Sequence, residues 1–207
     1  KFKIIRDAIF SLRQNKRLLP VKIEGLCDMS HVSDLPLVLQ TAVVKALNEQ
    51  DLDFAVDTDF DELISHIKNN EVIWDDLIDR NTALKSVAST REKLISKMMD
   101  KDMGTYQKAK EAQRAANLAI VFNTDNIGQW LIEVQEMLRA NTDYKGLLIL
   151  WDEFTDVMED SIGVPVLKAL QTIAQKFANE ENDSFFFLIS HPSAFNKLGN
   201  EETKQTD

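Results

Sequence analysis

Cysteine, glycine and proline are scarce in this 207-residue sequence, which contains one Cys, six Gly and four Pro. The lone cysteine, Cys27, cannot form a disulfide within the chain, and this excludes a small disulfide-stapled scaffold. No stretch approaches the roughly 20 apolar residues that a membrane-spanning helix needs, so we expect no membrane partner. With 44% apolar residues, the composition predicts an ordered, helix-rich, cytoplasmic protein.

Positive charge is scarce too: 24 Lys and Arg stand against 34 Asp and Glu, which gives a net charge of −10. Such a chain repels a phosphate backbone and has no general affinity for nucleic acid. One stretch reverses the sign, because eight basic residues outnumber four acidic ones between Lys85 and Arg114. This stretch is either a surface for an anionic partner or a solvated helical face.

Two continuous apolar runs each end in polar residues. The run from Lys145 to Phe154 contains Asp152-Glu153 near its end, and the run from Ser184 to Pro192 contains Ser190-His191. Continuous apolar runs are typical of strands buried on both faces of a parallel sheet. The segment 19–26 alternates apolar and polar residues after an early proline, as an edge strand does.

Apolar residues recur at helical spacing between these strands. The pattern predicts helices over about 2–12, 35–50, 126–140 and 164–178. Strands that alternate with helices pair in parallel through right-handed crossovers. We therefore predict an α/β fold, with a parallel sheet flanked by helices, in residues 1–50 and 126–200.

Residues 51–125 interrupt this alternation and read as an all-helical insertion. Its first acids, from Asp51 to Glu62, predict a solvated connection, and short helices follow around 63–67 and 72–78. A longer helix is expected over 82–101, and Gly104 is expected to end it. A second helix then runs back, so that residues 82–123 form a helical hairpin. Residues 201–207 form a polar tail without an apolar face.

The acids of the first apolar run lie where chemistry is expected in an α/β protein. Ligands of open α/β sheets bind outside the carboxyl ends of the strands, so Asp152 and Glu153 would lie beside a bound ligand. There Asp152 can hold Mg²⁺ through its water shell and Glu153 can polarise an attacking water. The alternative is structural, because an acid after a strand often caps the following helix.

This order of elements resembles the AAA+ and related P-loop ATPases that carry an additional catalytic glutamate. Their second signature motif is four apolar residues followed by Asp-Glu, and the run 148–153 matches it. The next strand of that family ends in a polar sensor residue, and here Ser190 and His191 occupy that position. The resemblance covers residues 1–50 and 126–198. It implies ATP and Mg²⁺ as cofactors, a metal-binding role for Asp152, and catalytic roles for Glu153, Ser190 and His191.

The sequence departs from that family because it contains no Gly-x-x-x-x-Gly-Lys-Ser/Thr loop. The amides and Lys of that loop hold the nucleotide phosphates, so we expect no tight nucleotide binding by this chain alone. In the family the loop precedes a first helix, and this chain begins inside a predicted helix. The resemblance thus implies a longer ATPase, whose other domains and further copies are partners. The helical insertion is also similar to large ATPases of bacterial phage-resistance systems of the BREX type.

The other candidate sites have simpler interpretations. Cys27, Asp28 and His31 have a metal-like spacing without a second ligand pair, so a loop role is preferred. His66 and the three tryptophans fall on helices or apolar runs and are expected to pack. Ser190 and His191 lack the nucleophile elbow and orienting acid that serine catalysis requires.

Two functions remain open from the sequence. The first is the ATPase core described above, without its phosphate-binding loop. The second is a non-catalytic module, in which the hairpin over 82–123 docks a protein or a nucleic acid and the Asp-Glu pair caps a helix.

Overall fold

The computed structural model describes residues 3, 17–27, 29–52, 54, 56–118, 127–178 and 183–191. The helix predicted over 2–12, the end of the hairpin beyond residue 118 and the polar tail at 201–207 lie outside these ranges. The chain divides into two compact units. The α/β unit comprises residues 1–54 and 126–207, and the helical unit comprises residues 55–125.

Three parallel strands form the sheet of the α/β unit. They are β1 (Arg17–Glu24), β2 (Tyr144–Asp152) and β3 (Phe185–Leu188), in the order β1-β2-β3. In the register, Glu24 lies opposite Asp152 and Leu150 lies opposite Phe187. The predicted α/β class with a parallel sheet and flanking helices is confirmed at this level, and the described residues as a whole are mostly helical.

The helices are numbered along the chain. They are α1 (Leu35–Glu49), α2 (Asp59–Asn69), α3 (Glu71–Arg80), α4 (Thr82–Val87), α5 (Arg91–Met99), α6 (Met103–Ala115), α7 (Ile127–Asn141), α8 (Phe154–Glu159) and α9 (Gly163–Ala178), and a short 3-10 turn (Val32–Asp34) precedes α1. No described helix is both long and apolar enough to cross a bilayer.

One face of the sheet carries the core of the α/β unit. Helix α1 packs on β1, α7 packs on β2, and α9 contacts α7. The side chains between them are fully buried, including Val21, Ile149 and Trp151. Right-handed crossovers that step in one direction across a sheet place their helices on the same face, which accounts for this arrangement.

The opposite face of the sheet is partly exposed, and the prediction that both apolar runs form strands buried on both faces is therefore wrong for β3. Strand β3 is not buried on both faces, because Phe185 is 48% exposed and Phe187 is 53% exposed. On β2, the neighbouring Leu148 and Leu150 are half-buried. A continuous apolar run shows that both faces of a strand avoid charge, but it does not show that a helix covers each face.

The helical unit corrects two further predictions. The helix expected over 82–101 is two helices, because Ala88 is extended and Thr90 caps α5 by accepting a hydrogen bond from the Lys93 amide. The next break does not fall at Gly104, which lies inside α6. The chain reverses at Lys101, where φ is +58°, and Asp102 caps α6. Capping side chains that satisfy free amides start a new helix even where apolar periodicity continues.

The acids between Asp51 and Glu62, which were predicted to form a solvated connection, are not all solvated. Asp59 is 0% exposed and accepts a hydrogen bond of 3.1 Å from the Tyr106 hydroxyl. Asp61 forms a capping box with Thr58, and the ammonium of Lys101 lies 3.5 Å from its carboxylate. These two acids therefore stabilise the first turn of α2 and are not part of a solvated linker.

Candidate functional site

The ends of the three strands meet at one edge of the sheet. Residue Gly25 follows β1, and its amide donates a hydrogen bond of 3.0 Å to the carbonyl of Asp152 at the end of β2. On the other side, the Ile189 amide donates to the Trp151 carbonyl at 2.8 Å. The carboxyl end of β2 is therefore tied to both of its neighbours. Its acids lie between them, as the sequence predicts for a ligand-binding edge.

The turn after β1 requires glycine. Gly25 has a φ of +60°, which side-chain-bearing residues rarely adopt. A Cβ at Gly25 would lie 3.5 Å from Oδ2 of Asp156 and 4.0 Å from Oε2 of Glu153. The Gly25 carbonyl accepts a buried hydrogen bond of 2.8 Å from Nε1 of Trp151. The carboxylates of Glu153 and Asp156 therefore lie against a turn that the Trp151 indole holds in place.

The Asp152-Glu153 pair adopts a specific backbone geometry. The Glu153 amide donates to Oδ1 of Asp152 at 2.9 Å. Glu153 itself is left-handed, with φ +52° and ψ +34°, a conformation that costs a residue with a side chain about 1 kcal/mol. It occupies the position that precedes α8, but its side chain accepts no capping hydrogen bond. The interpretation of this acid as a helix cap therefore has no support in the structure.

The tip of β3 is linked to the segment that follows the Asp-Glu pair. Oγ of Ser190 lies 3.0 Å from Oγ1 of Thr155, and the His191 amide donates to the same Oγ1 at 2.7 Å. The Phe154 amide donates to the Ile189 carbonyl at 2.9 Å. Ser190 is half-buried, whereas the His191 side chain is exposed. The hydrogen bond with Thr155 thus holds Ser190 close to the turn that contains Asp152 and Glu153.

Thr155 is the residue that sequence reasoning missed. Its signal in the sequence was weak, since it is one hydroxyl residue two positions after Glu153 and in the first turn of a short helix. Its partner Ser190 is 35 positions away, so only the pairing of β2 with β3 shows the contact. Between Ser190 and the two acids the structure shows no direct hydrogen bond.

The edge is strongly acidic. Glu24, Asp152, Glu153 and Asp156 are all exposed, and within the described ranges none of them forms an ion pair. The described residues contain no group of three or more His, Cys, Asp or Glu that could hold a metal ion by themselves. Magnesium is commonly held by one or two carboxylates together with phosphate oxygens and water. One or two of these exposed carboxylates could hold Mg²⁺ in that way.

Two other candidates from the sequence, Cys27 and His66, form local hydrogen bonds. Sγ of Cys27 donates to the Glu24 carbonyl at 2.9 Å, His31 is exposed, and Asp28 lies outside the described residues. Nδ1 of His66 accepts a hydrogen bond of 2.9 Å from Nε1 of Trp74. All three tryptophans are buried, as predicted.

Four of the eight cations in the basic stretch form ion pairs within the helical unit. Arg91 pairs with Glu71 at 3.2 Å and with Asp75 at 2.7 Å. Three more cations of the stretch form ion pairs, namely Lys85 with Asp79, Lys97 with Asp102 and Lys101 with Asp61. A surface that binds a phosphate backbone needs cations available to the phosphates. This pairing favours a solvated helical face over a nucleic-acid surface.

No protein-family model, no curated protein and no solved structure matches this chain, so the candidate site rests on its own geometry.

Proposed function

We propose that this chain supplies the magnesium- and water-handling part of an ATP-hydrolysing P-loop core. The observation that carries the proposal is the placement of Asp152 and Glu153. Both carboxylates are exposed at the carboxyl end of the central strand, neither makes an ion pair within the described residues, and a neighbouring strand tip lies on each side. That is the position at which an α/β sheet binds its ligand.

The residues divide the chemistry between them. Asp152 would hold Mg²⁺ together with phosphate oxygens and water, and the bound metal would neutralise charge on the phosphates. Glu153 would orient and polarise the attacking water, which needs a carboxylate that no cation already occupies. The Ser190 hydroxyl, with His191 beside it, would contact the terminal phosphate from the neighbouring strand. The left-handed backbone of Glu153 sets the direction of its Cα–Cβ bond, from which the carboxylate extends.

The phosphate-binding loop is the missing component of this proposal. None of the six glycines lies in the spacing of that loop, so the proposal places it in a longer polypeptide, upstream of Lys1. ATP and Mg²⁺ are accordingly cofactors of the longer protein, and this chain alone is expected to be inactive. The reading frame upstream of Lys1 is the first observation to make.

The test is a substitution in that longer protein. Glu153→Gln removes the carboxylate that polarises water but keeps the size of the side chain, so ATP hydrolysis should fall by at least about 100-fold while ATP binding persists. Steady-state hydrolysis and equilibrium binding of a fluorescent ATP analogue measure the two properties. Glu133→Gln, an exposed site on α7, is the matched control and should hydrolyse ATP at the wild-type rate. Unchanged hydrolysis by the Glu153 variant would overturn the proposal.

A second candidate is a protein-docking module without catalysis. Exposed apolar residues on the helical unit favour it, since Val72 is 81% exposed, Met99 is 58% exposed and Ile73 is 43% exposed. The ion pairs of the basic stretch favour a protein partner over a nucleic acid. A longer reading frame without a phosphate-binding loop would favour this candidate over the ATPase.

A further inference from the structure

We propose that Thr155 is a positioning residue, which orients the Ser190 hydroxyl so that it donates a hydrogen bond to an anionic phosphoryl oxygen at the strand tips. This inference rests on the proposed ATPase function. It assigns a role to a residue outside the Asp-Glu motif and outside the polar tip of β3. The role follows from two contacts of one hydroxyl group, with the His191 amide and with Oγ of Ser190.

Oγ1 of Thr155 contacts two residues at the tip of β3. This atom accepts a hydrogen bond of 2.7 Å from the His191 amide and lies 3.0 Å from Oγ of Ser190. The residues that precede Thr155 and Ser190 are also joined, because the Phe154 amide donates a hydrogen bond of 2.9 Å to the Ile189 carbonyl. Thr155 is half-buried. The hydroxyl is therefore held between two consecutive residues of the β3 tip.

The hydroxyl hydrogens of Thr155 and Ser190 decide which group can donate to a ligand. A threonine hydroxyl has one hydrogen and two lone pairs. The His191 amide occupies one lone pair, and either hydroxyl can donate in the contact between Thr155 and Ser190. With Thr155 as the donor, Ser190 keeps its own hydrogen for a ligand. In that arrangement the hydrogen of Ser190 is directed away from Thr155. Its alternative acceptor, the His191 carbonyl, is 3.5 Å away, at the outer limit of a hydrogen bond.

An anionic ligand would change the hydrogen bond that Ser190 donates. A hydrogen bond to a charged acceptor is shorter and roughly twice as strong as a neutral one, so a phosphoryl oxygen would displace the weak contact to the His191 carbonyl. Donation would then run from the His191 amide through Thr155 and Ser190 to the anion, and successive hydrogen bonds in such a chain strengthen one another. Thr155 thereby acts on the ligand only through Ser190.

Two substitutions at one position separate this role from simple packing. Thr155→Val keeps the shape of the side chain but removes the hydroxyl, whereas Thr155→Ser keeps the hydroxyl. In the longer protein, Thr155→Val should lower kcat by about tenfold with little change in KM, which is less than the loss expected when a direct donor is removed. Thr155→Ser should restore kcat to within about twofold of the wild type.

A double substitution tests whether Thr155 acts through Ser190. If it does, Thr155→Val combined with Ser190→Ala should be no slower than Ser190→Ala alone, because the two residues form one unit. Multiplied effects would contradict the proposal. The matched control is Thr172→Val on α9, which also removes a threonine hydroxyl, one bonded to the Lys168 carbonyl at 3.1 Å. It should leave kcat unchanged.

A measurement on the present chain checks the geometry without any activity. Hydrogen exchange of the His191 amide, followed by NMR, should be faster in Thr155→Val than in the wild type and in Thr155→Ser, since only valine removes the acceptor. Equal exchange rates in all three proteins would overturn the inference. Hydrolysis that depends on Glu153 but not on Thr155 would also overturn it and leave the proposed function standing. A longer protein without hydrolysis would overturn both.

Discussion

The two units of this chain use their charged residues in opposite ways. In the helical unit, acids meet cations, as when Arg91 contacts both Glu71 and Asp75. Partial burial raises the pKa of Asp61, but hydrogen bonds from Thr58 and the charge of Lys101 outweigh it and lower that pKa overall. At the sheet edge of the α/β unit, Glu24 and three further carboxylates have no such cation among the described residues.

This difference teaches how to separate structural acids from candidate functional ones. A paired carboxylate contributes to the stability of its own unit, through modest ion pairs and stronger capping hydrogen bonds. Exposed carboxylates without cations instead repel one another, so their charge does not add to the stability of the fold. Four such groups at a strand edge are tolerated when the site has a use for uncompensated negative charge, as the proposed magnesium role of Asp152 supplies.

The largest effect is expected from the core of the helical unit. Trp74 is fully buried, so Trp74→Ala should lower the free energy of unfolding by about 3–5 kcal/mol. Urea denaturation measures the loss, and amide exchange within residues 56–118 shows where it occurs. Val72→Ala on the same helix is the control, because Val72 is 81% exposed, and it should cost less than about 0.5 kcal/mol. Equal losses would show that the packing of α3 differs from the structure.

A smaller, pH-dependent effect is expected at His66. Burial lowers the pKa of His66, and its Nδ1 must be unprotonated to accept from Trp74. Because the folded pKa lies below the unfolded value, this stability is present above about pH 6.5 and is lost as the pH falls below that value. The loss should be about 1 kcal/mol, the net worth of one hydrogen bond.

The control for this pH effect is His66→Gln, which offers an acceptor oxygen but does not titrate. Urea unfolding at pH 8 and pH 5 should show a larger loss of stability in the wild type than in the variant. Identical losses in both proteins would exclude His66 as the source of the pH dependence.

The smallest effect on stability is expected at Asp152, and comparing it with the effect at Asp61 separates an unpaired acid from a paired one. Asp152→Asn should change the unfolding free energy by less than about 0.5 kcal/mol, because it removes an exposed charge without a cation partner. The same substitution at Asp61 should cost about 1 kcal/mol, since it weakens the capping box and the contact with Lys101. Thermal and urea unfolding of both variants provide the comparison. A larger cost at Asp152 than at Asp61 would reverse our assignment of the two carboxylates.

Much of the secondary structure followed from periodicity. The sequence predicted a helix over 35–50 and the structure has Leu35–Glu49, and the alternation of strands with helices predicted the parallel sheet. Local capping was harder to foresee, because the apolar spacing continues through Ala88 while Thr90 starts a new helix. The short helix after Glu153 was also missed, since six residues carry too little pattern to detect.

The site was predictable only in part. The residue types at 152 and 153 indicated a position at a strand end, and that position is where the structure places them. The ATPase role stays a prediction. The contact of Thr155 with Ser190 and the support of the Gly25 turn by Trp151 could not be foreseen, because each joins residues from different strands.

The sequence by itself determined the classes of element, the acidic charge and the two polar strand ends, because these depend on composition and on spacing between near neighbours. Only the tertiary structure decided which acids are paired, which apolar face of the sheet is exposed and which hydroxyl contacts Ser190. Those outcomes depend on contacts between residues far apart in the chain. Asp59 and Asp152 illustrate the difference: both are aspartates with other acids nearby in the sequence, yet one is fully buried beside Tyr106 and the other is exposed at the sheet edge.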